Sequence, residues 1–284
     1  MTLFDAAKLA DSLLDEIEEM AVELARLAGA EIENTLGKVL EVEYKGSAAE
    51  ALSLRDPVSE VDRKVEQLIR TRLAERFPGH DILGEESEER PGRESDFVWA
   101  IDPVDGTANF VNGFPLFAAS IGVLHRHRPI AGARWCSASH ALRAGVYHAR
   151  EGGPLHFDGA RIDHVGNPAV RRWLAGEPEA TRTPGMPWEV RKTGSAAIEC
   201  AFVAAGLLRV ARFERPNVWD VAGGLALVRA TEGAVLTHDG SGWRDFGGFE
   251  AVAHESANHA DLRHWRRPLI IGEAKAAALM AGRA

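Results

Sequence analysis

The sequence predicts a layered α+β fold, with helices placed before and after a run of adjacent strands. Three observations carry this. Helical periodicity dominates up to Phe77 and returns beyond Ser195. Between them, four apolar runs are separated only by turn residues. No internal repeat or low-complexity linker interrupts the chain.

The elements follow in order. Residues 3–30 place Leu9, Leu13, Ile17, Met20, Leu24 and Leu27 at helical spacing, which predicts one long amphipathic helix ending at Gly29. A variable stretch, 39–54, comes next. Ser59-Glu60-Val61-Asp62 reads as a capping-box variant that opens a second helix. Val65, Leu68, Ile69 and Leu73 form its inner face, and Phe77-Pro78-Gly79 ends it. Residues 97–101 read as a buried strand that Asp102-Pro103 stops, and further strands are predicted at 118–124, 131–136 and 144–149. Residues 151–190, rich in Gly, Pro and Arg, read as loops and short pieces. Ser195 caps an apolar helix that Gly206 terminates. A strand at 208–213 leads to a helix from Trp219 to Glu232, and a strand at 234–237 and a terminal helix close the chain.

With 284 residues, 45% of them hydrophobic, the chain can bury a sizeable core as one unit of two lobes, residues 1–150 and 151–284. A formal net charge of −9 without a basic stripe argues against nucleic acid as a partner. No stretch approaches the roughly 18 apolar residues of a membrane span. The acidic start, Met1 to Met20, lacks the pattern of a signal peptide. Cys136 and Cys200 alone read as reduced thiols. A cytoplasmic protein away from membranes is the expectation.

The informative segment is Trp99-Ala-Ile-Asp102-Pro-Val-Asp105-Gly106-Thr107-Ala-Asn109-Phe110. An apolar strand delivers two carboxylates, three residues apart, into a turn at its carboxyl end. Pro103 fixes the backbone there and Gly106 permits close approach of a ligand. A helix starting near Gly106 would offer free N–H groups to an anion. Hard carboxylate oxygens beside an anion-binding turn suit a phosphate bridged by Mg²⁺. An Asp-rich turn with a capping Thr is the plain alternative. Gly84-Glu85-Glu86 reads by itself as a solvated face, and Asp220 at the head of its helix as a first-turn acid favoured by the helix dipole. His125, His127 and His238 read as surface histidines.

Together these stretches resemble the inositol monophosphatase family: GEE at 84–86, WAIDPVDGTANFVNGFPLFAASIGV at 99–123, GSAAIECAFVAAG at 194–206 and WDVAGG at 219–224. DPVSEVDRKVE at 56–66 is similar to the family's earlier acidic segment. The resemblance implies an αβαβα sandwich of the inositol monophosphatase and fructose-1,6-bisphosphatase type. It also implies a homodimer that hydrolyses a small phosphorylated metabolite, above all myo-inositol monophosphate, with Mg²⁺ as cofactor. Glu85 and Asp102, with the Val104 carbonyl, would hold one ion. Asp102, Asp105 and Asp220 would hold a second, and a third would lean on Glu85. The N–H groups of Gly106 and Thr107 would take phosphate oxygens, and Glu85 and Thr107 would orient the attacking water. Asp62 either pairs with Thr107 in that task or closes the capping box with Ser59; the two roles are compatible. Asp105, the turn Gly194, Ser195 and Ala196, and Glu214 would face the substrate's leaving group.

The chain departs from the family pattern in a shorter 214–218 segment, an abbreviated 158–190 region and Thr231-Glu232-Gly233-Ala234 in place of paired glycines. Lys45 corresponds to a mobile basic residue of the family. Histidinol-phosphate, nucleotide 3′-phosphate and sugar-bisphosphate phosphatases share the metal core and are the alternatives for substrate. A non-catalytic metal- or phosphate-binding homologue is the alternative of a different class. The haloacid-dehalogenase type needs two aspartates separated by one residue, whereas Pro103 and Val104 both intervene here.

Overall fold

The computed structural model describes residues 9–44, 57–163, 169–177, 185–249 and 262–282. Helices α1 (Asp11–Glu33) and α2 (Glu60–Arg76) flank an antiparallel ribbon of β1 (Val42–Tyr44) and β2 (Pro57–Ser59). Strands β3 (Asp81–Gly84) and β4 (Phe97–Asp105) follow, then the short helix α3 (Thr107–Val111). A meander continues through β5 (Ala118–His125), β6 (Arg128–Cys136), β7 (Gly145–Arg150), β8 (His156–Phe157) and β9 (Ala160–Arg161). The remainder comprises β10 (Trp173–Gly176), β11 (Trp188–Arg191), α4 (Ala196–Ala204), β12 (Val210–Phe213) and α5 (Val218–Ala230). It ends with β13 (Ala234–His238), β14 (Trp243–Asp245), β15 (Leu269–Gly272) and α6 (Ala274–Met280).

Strands β3 to β9 form a seven-stranded sheet in chain order, parallel only between β3 and β4. The second sheet has six strands in the order β11-β10-β12-β15-β13-β14. Side-chain alternation along β4 divides two cores. Trp99 and Ile101 join Ile17, Leu24, Val65 and Ile69 of α1 and α2. Val98 and Ala100 join Ile198, Val221 and Leu225 of α4 and α5, which also reach Val235 and Ile271 of the second sheet. A third core sets Ala276 and Ala277 of α6 against Val210, Leu236 and Ile270. The layers therefore run helix, sheet, helix, sheet, helix, as the sequence leads one to expect. No helix among the described residues is long and apolar enough to cross a membrane.

Three local expectations change. Helix α1 does not stop at Gly29 but runs on to Glu33. Gly29 is there because a Cβ would come within 2.3 Å of the Trp135 ring, so the glycine serves close packing and not termination. Strand β4 does not end at Asp102; it continues to Asp105 through an irregularity between those two residues. Within 151–190, the described part contains strands β8 to β11. The portions of α1 expected at residues 3–8, and Lys45, lie outside the described residues.

Candidate active site

The β4 irregularity re-aims the backbone, so Asp102 and Asp105 point into the same space. Gly106 follows at φ 86°, a left-handed conformation that glycine adopts without strain, and it caps α3. A Cβ there would also lie 3.2 Å from the Leu116 carbonyl oxygen. Thr107 then opens the helix, with its Oγ1 2.8 Å from the Val104 carbonyl and 3.0 Å from Asp62 Oδ1.

Asp62 answers both sequence readings at once. Its Oδ2 accepts from the Ser59 N–H at 2.9 Å and from the Ser59 hydroxyl, completing the capping box of α2. Its Oδ1 faces Thr107. Burial raises the pKa of this carboxyl above the usual range, with the Ser59 and Thr107 hydrogen bonds opposing.

Asp220 arrives from the first turn of α5. It closes a second capping box by accepting from the Asn217 N–H at 2.8 Å. The turn is anchored from beneath: Ser120 Oγ donates to the Trp219 carbonyl at 2.9 Å, and Arg134 Nη2 to the Asp220 carbonyl at 2.8 Å. Helix α5 approaches β5 and β6 closely enough that a Cβ on Gly223 would come 2.5 Å from the Ile121 oxygen. Gly223 of WDVAGG therefore sets the depth at which Asp220 enters, while Gly224 admits α4, where a Cβ would come 2.3 Å from Cys200 Cβ.

Glu85 sits in a turn held from several sides. Its N–H donates to the Ile101 carbonyl at 3.1 Å, and Arg263 donates to the Gly84 and Glu85 carbonyls at 2.7 and 3.1 Å. Buried Glu66 accepts from the Glu86 and Ser87 N–H groups at 2.7 and 3.0 Å.

Asp102, Asp105 and Asp220 each place a carboxylate oxygen within 4.8 Å of the others. Burial first, then the charges of Glu85, Asp105 and Asp220, holds the Asp102 carboxyl well above its ordinary range. Asp220 is pushed up to about 8 by burial and by Asp105 and Glu85. Asp105 is raised by burial, while Ser195, the Ala197 N–H and Arg134 oppose. Both close bonds to Asp105, from the Ser195 hydroxyl and from the Ala197 N–H at 2.7 Å, fall on Oδ2. The Gly194–Ala196 turn is thus docked on the aspartate motif, and Asn109 Nδ2 ties it down through the Thr193 carbonyl at 2.8 Å. Glu214 follows β12, where Arg212 engages it at 2.6 Å. Crowded carboxylates with depressed acidity call for a cation, and an all-oxygen donor set suits a hard one. The residues fit a metal of the Mg²⁺ kind.

A family model described as the inositol monophosphatase family matches residues 13–268. The chain belongs to that family. Its members are metal-dependent phosphatases acting on small phosphorylated substrates, so the protein is a phosphoric monoester hydrolase. It is 32% identical over 264 residues to an inositol-1-monophosphatase of Mesorhizobium japonicum, covering 87% of this chain and 95% of that protein. It is 30% identical over 253 residues to a fructose-1,6-bisphosphatase/inositol-1-monophosphatase of Aquifex aeolicus, covering 83% and 90%. Among solved structures, the extragenic suppressor protein suhB of Bartonella henselae superposes with a TM-score of 0.72 at 24% identity, covering 94% of this chain and 98% of that one. The Thermotoga maritima IMPase gives 0.68 at 25%, covering 95% and 98%.

The site rests on buried or half-buried supports that sequence reading missed: Glu66, Ser120, Arg134, Glu199 and Arg263. Ser120 and Arg134 carry a signal, each the one polar residue inside an apolar run (118–124 and 131–136), and both are fully buried. Glu199, also buried and pushed up to about 7 by that burial, accepts from Thr193 Oγ1 at 2.9 Å behind the Gly194 turn. The three flagged histidines join no ligand group among the described residues. His125 stacks on Phe97, His127 sits in a left-handed turn at φ 65°, and His238 packs edge-on against Trp243.

Proposed function

We propose that the protein hydrolyses a myo-inositol monophosphate, using Mg²⁺, as a cytoplasmic homodimer. The observation carrying this reading is the convergence of Asp102, Asp105 and Asp220 beside Glu85 and the Gly106–Thr107 turn. Glu85, Asp102 and the Val104 carbonyl would hold one ion, and Asp102, Asp105 and Asp220 another. Bound Mg²⁺ supplies charge neutralisation at phosphorus and makes water a nucleophile at neutral pH.

The chain's own groups do the rest. The N–H groups of Gly106 and Thr107 bind phosphate oxygens at the start of α3. Thr107 Oγ1, backed by Asp62 at 3.0 Å, orients the attacking water together with Glu85. Asp105, Gly194, Ser195, Ala196 and Glu214 face the leaving group, with residues 1–150 supplying the metal and phosphate side apart from Asp220, and 151–284 the substrate side apart from Asp105. Free, buried Cys136 and Cys200 support a reducing compartment.

A sugar bisphosphate is the second reading, favoured by the double activity in the name of the Aquifex relative. Phosphate release with and without Mg²⁺ tests both, on inositol 1-phosphate, histidinol phosphate, fructose 1,6-bisphosphate and adenosine 3′,5′-bisphosphate. Preference for inositol 1-phosphate supports the first reading. Preference for another member moves the substrate but keeps the metal chemistry, and turnover independent of Mg²⁺ overturns the metal assignment.

A further inference from the structure

A second group with the donor chemistry of a metal ion lies away from the phosphatase centre, where α1 crosses β7 and β8. His148 and His156 stand directly opposite each other across the antiparallel pair. Their rings stack with centroids 5.0 Å apart and planes at 15°. Glu18 reaches them from α1, its Oε1 2.7 Å from His148 Nδ1. One nitrogen of each ring and one Glu18 oxygen all lie within 4.8 Å of one another.

An ordinary histidine–glutamate hydrogen bond accounts for His148 and Glu18 but not for His156. Nδ1 of His156 is buried and meets no hydrogen-bond partner among the described residues. A buried ring nitrogen without a partner is costly unless something binds it. The local field also favours a cation. Asp11, Asp15 and Glu18 face the Arg150 guanidinium, whose Nε lies 2.6 Å from Asp15 and 3.9 Å from Glu18, while Arg161, opposite His156, is offset by Asp163 at 2.7 Å. Three carboxylates against one cation leave net negative charge beside two imidazoles.

We propose that Glu18, His148 and His156 bind a divalent ion of the Zn²⁺ class, fastening α1 to the β7–β8 end of the sheet. Two imidazoles and a carboxylate form a common zinc donor set, with the fourth position left to water. A tetrahedral ion with bonds of about 2.0–2.2 Å needs donors roughly 3.4 Å apart, so the Glu18–His148 pair at 2.7 Å must open slightly to admit it, and no pair in the group is wider than 4.8 Å, within reach of side-chain rotation. Imidazole nitrogen disfavours Mg²⁺, which prefers the all-oxygen centre, so the two sites sort ions by donor type.

The test starts from full-length protein stripped by a chelator and then saturated with Mg²⁺. Co²⁺ is titrated in by visible spectroscopy and displaced by Zn²⁺ under calorimetry. The expected result is one equivalent of Co²⁺ with the intense bands of a four-coordinate, nitrogen-ligated ion, and a higher Tm with Zn²⁺. His156→Gln should weaken Zn²⁺ at least about tenfold while leaving Mg²⁺-dependent phosphatase turnover unchanged. Glu18→Gln, on a different element, should weaken it too, and equal metal-free Tm values confirm that both variants are folded. Zn²⁺ binding unchanged in both variants, or lost in Asp102→Asn but kept in His156→Gln, overturns the proposal.

Discussion

At the residue scale, two acids each close a helix cap and, on the proposed mechanism, serve the chemistry with the same carboxylate. Asp62 caps α2 with one oxygen and meets Thr107 with the other. Asp220 caps α5 and faces Asp102 and Asp105. Replacing Asp62 separates its two roles. Asp62→Ala should lower stability by about 1–2 kcal/mol through the lost cap and also reduce kcat. Asp62→Asn keeps an acceptor for Ser59, so urea denaturation should show a smaller loss while kcat remains reduced. Full turnover in the Asn variant would leave Asp62 as a cap alone. Asp102→Asn and Asp220→Asn each remove a charged group from the proposed metal centre, and steady-state kinetics at saturating Mg²⁺ should show kcat down by about 10²–10³-fold or more.

At the element scale, the site depends on how deeply helices seat against the first sheet. Gly122, Gly132 and Gly223 leave backbone on backbone where α5 meets β5 and β6; added Cβ atoms would sit 2.3–2.5 Å from neighbouring main-chain atoms. Gly223→Ala should therefore cost about 1–3 kcal/mol by overpacking. Because the helix that shifts also carries Asp220, the Mg²⁺ concentration for half-maximal rate should rise as well. A variant with unchanged denaturation midpoint and unchanged Mg²⁺ dependence would show that α5 is not the depth gauge. Arg134, fully buried beneath this helix, holds its first turn by the Asp220 carbonyl. The same β6 strand that supports α5 from one face receives α1 on the other, through Trp135 against Gly29.

At the scale of the whole molecule, the proposed metal centre would couple metal binding to stability. Asp220 is pushed up to about 8 and Glu199 to about 7, and Asp102 and Asp105 are also raised, mainly by burial. The folded state thus keeps protons that the unfolded chain has released. That contribution is complete below the ordinary carboxylate pKa of about 4 and is lost as pH rises through the folded values. On the proposed assignment, bound Mg²⁺ removes the need for the protons on Asp102, Asp105 and Asp220, whereas that of Glu199 is kept in both forms and cancels in the difference. The Tm difference between Mg²⁺-saturated and chelated protein should therefore widen from about pH 5 to about pH 8.5. His80 and His125, whose pKa burial lowers, push the other way in both forms and cancel in the difference. A gap that narrows with pH would contradict the placement of the metal on these carboxylates.

What the sequence determined by itself was local. Asp102, Asp105, Gly106 and Thr107 are neighbours in one strand–turn–helix, and Ser59–Asp62 and Ser195 announce their helices by caps, because these signals need only a few adjacent residues. The unbroken apolar run at 97–101 likewise reads as a buried strand, and Val98 and Ala100 enter one core while Trp99 and Ile101 enter the other. Only the tertiary structure decided the rest. Gly29 reads as a stop until Trp135 lies against it, and Gly84-Glu85-Glu86 as a solvated face until buried Glu66 accepts from the Glu86 and Ser87 amides. His148 and His156 carry no motif; their pairing is a register between strands, completed by a glutamate 130 positions from His148. Caps and turns are written in contiguous residues, whereas the meeting of distant side chains is fixed by packing depth and strand register, which leave no local trace.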